Sequence, residues 1–150
     1  MLQVGERFPE ILGRDQNGQE IKLSDFKGKK LVLYFYPKDN TSGCTAEACN
    51  LRDNYAALKK AGYEVVGVSK DSEASHRKFI EKQSLPFTLI ADTETILNQS
   101  AGVWAEKKLY GRSYMGTLRV TFLIDENGII EKIIEKVDTK NHANQILGKL

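Results

Sequence analysis

The chain has 150 residues and a formal net charge of +2; 41% of its residues are hydrophobic and 28% are charged. This length and composition are those of one ordinary globular domain, so we treat residues 1–150 as a single domain. The small net charge argues against a nucleic acid or an anionic membrane as a partner.

The N-terminus lacks the basic flank and apolar run that mark a signal peptide. No stretch approaches the roughly 20 apolar residues that a membrane-spanning helix needs. We therefore predict a cytoplasmic protein without membrane association. In that compartment two cysteines, Cys44 and Cys49, favour redox chemistry or metal binding over a structural disulfide.

The first part of the chain predicts a hairpin, a strand and a helix. Asn17-Gly18 lies between the alternating segments 11–15 and 20–23, which is typical of a β-hairpin turn. The apolar run 31–36 predicts a strand that is buried on both faces, as in a sheet covered by helices. Apolar residues at helical spacing then predict one helix over 43–61.

The alternation of strands and helices continues through the middle of the chain. A second buried strand is predicted at 64–69 and a third at 87–91. Between them Ser72 is suited to cap a helix that ends near Gln83. A short helix is predicted over 94–101.

The last third predicts an irregular segment, a hairpin and a helix. Residues 103–118 show no clean period, and a long irregular segment in a compact domain is often functional. Strands at 120–124 and 129–134 flank a turn. The final amphipathic helix has apolar positions at Ala143, Ile146, Leu147 and Leu150. The order of these elements predicts an α/β fold.

Cys44 lies at the first turn of a predicted helix, directly after the strand 31–36. Backbone amides at a helix N-terminus and a nearby guanidinium both stabilise a thiolate. Pro37 and Gly43 would shape the turn so that Cys44 lies at the carboxyl end of the strand, where ligands bind in α/β sheets. The alternative, a small buried hydrophobic residue, does not explain this strand–turn–helix setting. The position therefore predicts a reactive nucleophile.

Two motifs resemble those of the peroxiredoxins. Pro37-x-x-x-Thr41-x-x-Cys44 is similar to the active-site pattern of that family, and Arg119–Asp125 resembles its second signature. Three further segments are similar to the branch called PrxQ or bacterioferritin comigratory protein: 35–39, 44–49 and 104–108. The resemblance covers essentially the whole chain. It implies a thioredoxin-like fold with an N-terminal β-hairpin.

The resemblance also implies reduction of hydrogen peroxide and organic hydroperoxides. The sequence has no phosphate-loop or dinucleotide pattern, so we expect no organic cofactor. Cys44 would attack one peroxide oxygen and become a sulfenic acid. Thr41 would place its hydroxyl beside the sulfur and the peroxide, and Arg119 would hold the thiolate charge and polarise the O–O bond. Pro37 would shield the sulfenic acid. Glu47, one helical turn after the thiol, either orients Arg119 or is a solvated carboxylate; both interpretations stay open.

Cys49 is implied by the resemblance to be the resolving thiol, in a monomer recycled by thioredoxin or a similar dithiol. Residues i and i+5 of a helix have Cα atoms about 8.7 Å apart, whereas a disulfide tolerates about 7 Å at most. Oxidation must therefore unwind part of the helix. The alternative is a core cysteine near Ala48 and Tyr55.

Two other chemistries fit the sequence poorly. A thioredoxin-type disulfide reductase needs C-x-x-C, and Thr41 stands at the position of its first cysteine. That fold also carries a cis-proline before the strand that corresponds to 121–124, and this chain has no proline there. A zinc site would need His76 and His142, which lie far apart and are predicted on helix surfaces.

A redox sensor remains as an alternative to an enzyme. Such a protein would use oxidation of Cys44 as a signal to a partner and would not turn over. An enzyme consumes many equivalents of peroxide in the presence of a dithiol donor, whereas a sensor stops near one.

Overall fold

The computed structural model describes residues 1–149, so Leu150 of the predicted last helix lies outside the described residues. In chain order the strands are β1 (Ile11–Arg14), β2 (Glu20–Lys22), β3 (Lys30–Phe35), β4 (Tyr63–Ser69), β5 (Thr88–Ala91), β6 (Trp104–Leu109), β7 (Arg112–Thr117), β8 (Val120–Ile124) and β9 (Ile130–Ile134). The helices are α1 (Ser42–Asp53), α2 (Tyr55–Lys60), α3 (Glu73–Gln83), α4 (Ile96–Ala101) and α5 (His142–Leu147), with a short 3-10 turn over Leu23–Phe26.

Five strands form the central sheet in the order β5-β4-β3-β8-β9. Strands β3, β4 and β5 run parallel, and β8 and β9 are antiparallel to their neighbours. Two separate hairpins, β1–β2 and β6–β7, complete the strand set. The prediction of an α/β fold is confirmed. Among residues 1–149, no helix has the length and apolar character needed to cross a membrane.

Strand β3 is buried on both faces, as the sequence predicted. Leu31, Leu33 and Phe35 belong to one apolar cluster, whereas Val32 and Tyr34 belong to the cluster on the opposite face. This alternation is the period-two pattern of a strand. Residues of α1, α2, α3 and α5 pack in the second cluster, while α4 and β1 contribute to the first. Covering both faces fixes the central strand and therefore the loop that follows it.

The helix predicted over 43–61 is two helices, because the chain breaks at Asn54. Its φ of −110° and ψ of 13° leave the helical region. The Asn54 side chain donates to the carbonyl of Asn50 at 2.8 Å, in competition with the main-chain bond to the same oxygen. The break separates α1, which carries both cysteines, from α2.

The prediction of an irregular segment at 103–118 was wrong, because these residues form the hairpin β6–β7. Tyr110 and Gly111 make a two-residue turn in which both have positive φ, at 51° and 76°. This geometry suits a two-residue hairpin but is usually signalled by asparagine, aspartate or glycine at the first position. A tyrosine there hides the turn from the sequence.

Candidate active site

The thiol of Cys44 lies at the start of α1, where the sequence placed it. Strand β3 ends at Phe35, a short loop follows, and Thr41 is the N-cap residue of α1. Cys44 is therefore in the first turn, and only 1% of its surface is exposed. Amide groups of a first helical turn have no partners within the helix and favour an anion nearby.

Arg119 reaches Cys44 because of the strand register. Strand β8 is antiparallel to β3 with Val120 opposite Phe35, so Arg119 comes to the end of β3 from which α1 begins. Its Nη2 donates to the Sγ of Cys44 at 3.3 Å. A Cβ on Gly43 would lie 3.2 Å from this Nη2, so a glycine gives the guanidinium room to approach.

Glu47 is fully buried and holds the other arm of the same guanidinium. Arg119 Nη1 donates to Glu47 Oε1 at 2.7 Å. Of the two interpretations left open by the sequence, contact with Arg119 is the one observed. Burial raises the pKa of Glu47 to about 7, although the charge and hydrogen bond of Arg119 act in the opposite direction. Burial also opposes the charge of Arg119, but Glu47 and Cys44 outweigh it and raise the pKa of Arg119.

Thr41 and Pro37 lie in the loop between β3 and α1. Thr41 is exposed, and its hydroxyl donates to the carbonyl of Lys38 at 2.9 Å. That bond uses the hydroxyl hydrogen and leaves the oxygen able to accept. The hydroxyl does not cap α1, although Thr41 occupies the N-cap position. Pro37 is half-buried in the same loop.

Cys49 is half-buried in the same helix and has different neighbours. Its Sγ donates to Gln83 Oε1, at the end of α3, at 3.4 Å. Both cysteines are free thiols. The two sulfurs thus begin with separate partners, Arg119 for Cys44 and Gln83 for Cys49, within one intact helix.

Known proteins identify the family. Residues 4–133 match the AhpC/TSA family. The chain is 44% identical over 149 residues to a protein of Coxiella burnetii named as a putative peroxiredoxin bcp, covering 99% of each chain. It is also 44% identical to peroxiredoxin Bcp of Bacillus subtilis, covering 99% of this chain and 95% of the other. The chain belongs to the AhpC/TSA family.

Solved structures agree with this peroxiredoxin assignment. A mutant PrxQ of Xylella fastidiosa superposes with a TM-score of 0.90 at 32% identity, covering 99% of this chain and 95% of that one. The bacterioferritin comigratory protein of Xanthomonas campestris, studied for alkyl peroxide reduction, gives 0.84 at 36% identity, covering 90% and 86%. The predicted peroxiredoxin enzyme of the PrxQ branch, with a thioredoxin-like fold, is confirmed.

Sequence reasoning missed a buried network behind the loop that precedes α1. The carboxylate of Asp39 accepts from Tyr36 at 2.6 Å, Ser75 at 2.8 Å and His76 Nδ1 at 2.8 Å. The other ring nitrogen of His76 donates to the carbonyl of Ile90 at 2.9 Å. A carbonyl oxygen can only accept, so Nε2 carries a hydrogen, and both ring nitrogens of His76 have partners in the buried network.

The prediction that both histidines lie on helix surfaces was wrong. His76 and His142 are fully buried. Helical spacing carried the signal: His76 is three residues before the inward Phe79, and His142 is four before Ile146. Asp39, Asp71 and His76 each offer one potential metal-ligand atom within 4.8 Å of the others. Asp39 and His76 already satisfy one another by hydrogen bonding.

Replacing Asp39 with asparagine should destabilise the fold by about 3 kcal/mol at neutral pH, since a buried charged acceptor of three hydrogen bonds is lost. Burial opposes ionisation of Asp39, but His76, Tyr36 and Ser75 lower its pKa overall. The stability from this group is therefore present above its unfolded pKa and lost as the pH falls through the lower folded value. Thermal unfolding should show the two proteins converging below about pH 4.

The exposed Asp53→Asn is the matched control, since Asp53 pairs with Arg52 at the surface. Such a pair contributes less than about 1 kcal/mol. Equal melting temperatures for wild type and Asp39→Asn at neutral pH would contradict the role given to Asp39.

A cavity of about 410 Å³ lies at the opposite end of the sheet from the thiol. It is lined by residues of the 3-10 turn, the start of β3 and the end of β8, among them Leu23, Leu31 and Ile124. Cys44, Thr41 and Arg119 do not line it. The cavity is therefore separate from the candidate site at the N-terminus of α1.

Proposed function

We propose that this peroxiredoxin reduces hydrogen peroxide and organic hydroperoxides with Cys44 as the nucleophile. The observation that carries the proposal is the hydrogen bond from Arg119 Nη2 to the Cys44 sulfur at 3.3 Å, at the first turn of a helix. A fixed cation and helix amides together favour the thiolate, which is the reactive form of cysteine. The activity studied in the Xanthomonas campestris relative supports an alkyl hydroperoxide as substrate.

In the first step the Cys44 thiolate attacks one peroxide oxygen. An S–O bond forms as the O–O bond breaks, the departing oxygen takes a proton and leaves as water or an alcohol, and the sulfur becomes a sulfenic acid. Arg119 stabilises the charge that moves from sulfur to the leaving oxygen. The Thr41 hydroxyl donates its hydrogen to the carbonyl of Lys38, so its oxygen can accept a hydrogen bond from the peroxide hydroxyl. Pro37 shields the product from water.

In the second step Cys49 resolves the sulfenic acid. Its sulfur attacks that of Cys44, water leaves, and an intramolecular disulfide forms. A dithiol of the thioredoxin type then reduces this disulfide and is itself oxidised. Because both cysteines lie in α1, with Cα atoms about 8.7 Å apart in a regular helix, the step requires local unwinding.

Single-cysteine variants test the two roles. Cys44→Ser should consume no peroxide with a thioredoxin system. Cys49→Ser should consume about one equivalent per chain and then stop, because the first step does not need Cys49 but recycling does. Mass spectrometry should find one added oxygen on Cys44 in that variant and a disulfide in oxidised wild type. Peroxide consumption that survives in Cys44→Ser would overturn the assignment.

The same assay separates an enzyme from a redox sensor. Wild type that turns over many times with a dithiol donor is a catalyst, whereas consumption that ends near one equivalent indicates a sensor. We further propose that residues 1–150 act as one domain and as a cytoplasmic monomer. Intramolecular resolution by Cys49 supports the monomer, since no second chain is needed to form the disulfide; sedimentation of the reduced and oxidised forms tests it.

A further inference from the structure

One carboxylate oxygen behind the thiol has no hydrogen bond. Glu47 Oε1 accepts from Arg119, but Glu47 Oε2 is buried and has no partner among the described residues. His142 Nε2 lies 3.5 Å from this oxygen, which is longer than a normal hydrogen bond. A buried, charged oxygen without a donor is costly, so its protonation state requires an explanation.

The hydrogen bonds of His142 show which of its two ring nitrogens carries a hydrogen. The Gln145 side chain donates to the carbonyl of Lys136 through its nitrogen and accepts from the amide of Asp138 through Oε1. This identifies Oε1 as the acceptor that lies 2.8 Å from His142 Nδ1, so Nδ1 carries a hydrogen. Burial lowers the pKa of His142, which keeps the ring neutral.

Nε2 of the neutral ring is therefore a lone pair, and the Thr121 hydroxyl donates to it at 2.7 Å. This side of His142 offers no hydrogen to Glu47. An ionised Oε2 would then face a lone pair in a fully buried site. A proton on Oε2 removes the uncompensated charge from this buried oxygen and relieves its repulsion with the Nε2 lone pair.

We propose, on the basis of the proposed peroxidase function, that Glu47 acts in the reduced enzyme as a neutral carboxylic acid. Its Oε1 accepts from Arg119 while its protonated Oε2 faces His142, so the guanidinium is positioned without being neutralised. The full charge of Arg119 then remains for the Cys44 thiolate. Glu47 and His142 are positioning residues, because neither contacts the sulfur.

The groups around Glu47 come from four elements. Arg119 precedes β8, His142 begins α5, and Cys44 is on the same helix as Glu47. Tyr34 of β3 has a buried hydroxyl without a hydrogen-bond partner in residues 1–149. Burial raises the pKa of Tyr34, so its hydroxyl stays neutral.

Two charged groups lie in the next layer. Burial lowers the pKa of Lys107, on β6, and the nearby charge of Arg119 lowers it further. Burial lowers the pKa of His142, and the charge of Asp138 acts in the opposite direction. Burial raises the pKa of Glu47 to about 7, which places its titration near neutrality. As the pH rises, ionisation of Glu47 would offset the Arg119 charge and so weaken the stabilisation that Arg119 gives to the thiolate and to the leaving oxygen.

Glu47→Gln tests the proposal, since glutamine keeps an acceptor for Arg119 and a hydrogen toward His142 but cannot ionise. The rate of Cys44 oxidation by hydrogen peroxide is measured by rapid mixing from about pH 5.5 to 9. We expect the wild-type rate, corrected for the thiolate fraction from its ultraviolet absorbance, to fall about tenfold above pH 7, because ionised Glu47 offsets the Arg119 charge that stabilises the transition state; tenfold corresponds to about 1.4 kcal/mol. The glutamine variant should lack this fall and be the faster enzyme near pH 8.5.

Infrared spectroscopy gives an independent readout. Reduced wild type near pH 6 should show the carbonyl stretch of a buried protonated carboxylic acid, and Glu47→Gln should not. Glu64→Gln is the matched control, because Glu64 is a partly buried acceptor, on β4, that bonds Tyr55 and does not contact Arg119. It should keep both the wild-type pH profile and the infrared band.

The proposal is overturned if wild type and Glu47→Gln share one pH profile, if the variant is slower throughout, or if the band is absent from wild type. The proposed peroxidase function is tested separately by Cys44→Ser. If Cys44→Ser consumes no peroxide and wild type does, the proposed peroxidase function stands whatever the result at Glu47.

Discussion

Replacing Arg119 with glutamine should slow the oxidation of Cys44 by hydrogen peroxide by two to three orders of magnitude, roughly the effect of removing one pre-positioned donor to a developing charge. The guanidinium is the only side chain that donates to the Cys44 sulfur among residues 1–149, and it holds Glu47 at the same time. Glutamine is too short to serve both and carries no charge. Single-turnover kinetics at fixed pH, with hydrogen peroxide in excess, measure the loss directly.

Arg112→Gln is the matched control for loss of a surface charge, because Arg112 is exposed on β7. Its rate should equal that of wild type. Arg119→Lys should lie between the two, since a lysine retains the charge but lacks the planar fork that reaches the sulfur and the carboxylate together. An Arg119→Gln rate within threefold of wild type would remove Arg119 from the mechanism.

The sequence predicted the parts of this molecule whose signals are local. The strand at 31–36 and the N-terminal hairpin are encoded in short runs of apolar and turn residues, and both are present. The position of Cys44 at a strand–helix junction followed from the predicted strand at 31–36 and the predicted helix over 43–61. What joined Cys44 to Arg119, 75 residues later, was the family resemblance, and the antiparallel pairing of β8 with β3 explains that contact physically.

The missed features depend on contacts between distant elements. His76 and His142 look polar in the sequence and were placed on surfaces, yet each is buried by partners that only the fold assembles. Glu47 stayed undecided for the same reason: its partner Arg119 is 72 residues away. Period alone could have favoured burial, since Glu47 precedes the buried Leu51 by one turn. Helical period could not identify Arg119 as the hydrogen-bond partner that stabilises the buried carboxylate.

Oxidation to the disulfide should unwind the first part of α1, with a loss of roughly four to seven helical residues, or one to two turns. The far end of the helix is anchored. Asn50 donates to the carbonyl of Lys140 at 2.9 Å and accepts from the amide of Ala143 at 2.8 Å, and Arg52 donates to the carbonyl of Gln83 at 2.7 Å. These bonds tie the second half of α1 to the start of α5 and to the end of α3.

The near end of α1 is held by Arg119, which donates to the Cys44 sulfur at 3.3 Å. In the proposed cycle, conversion of the Cys44 thiolate to a neutral sulfenic acid weakens this contact but leaves α1 folded. Formation of the disulfide then unwinds the helix, and the unwinding should begin at the N-terminal turns and stop before Asn50. Far-ultraviolet circular dichroism should show less helix after one equivalent of peroxide, and a dithiol should restore it. Cys49→Ser, oxidised only to the sulfenic acid, is the control and should retain the reduced spectrum. Identical spectra for verified dithiol and disulfide forms would mean that the helix stays intact, and resolution by Cys49 within one chain would then be geometrically excluded.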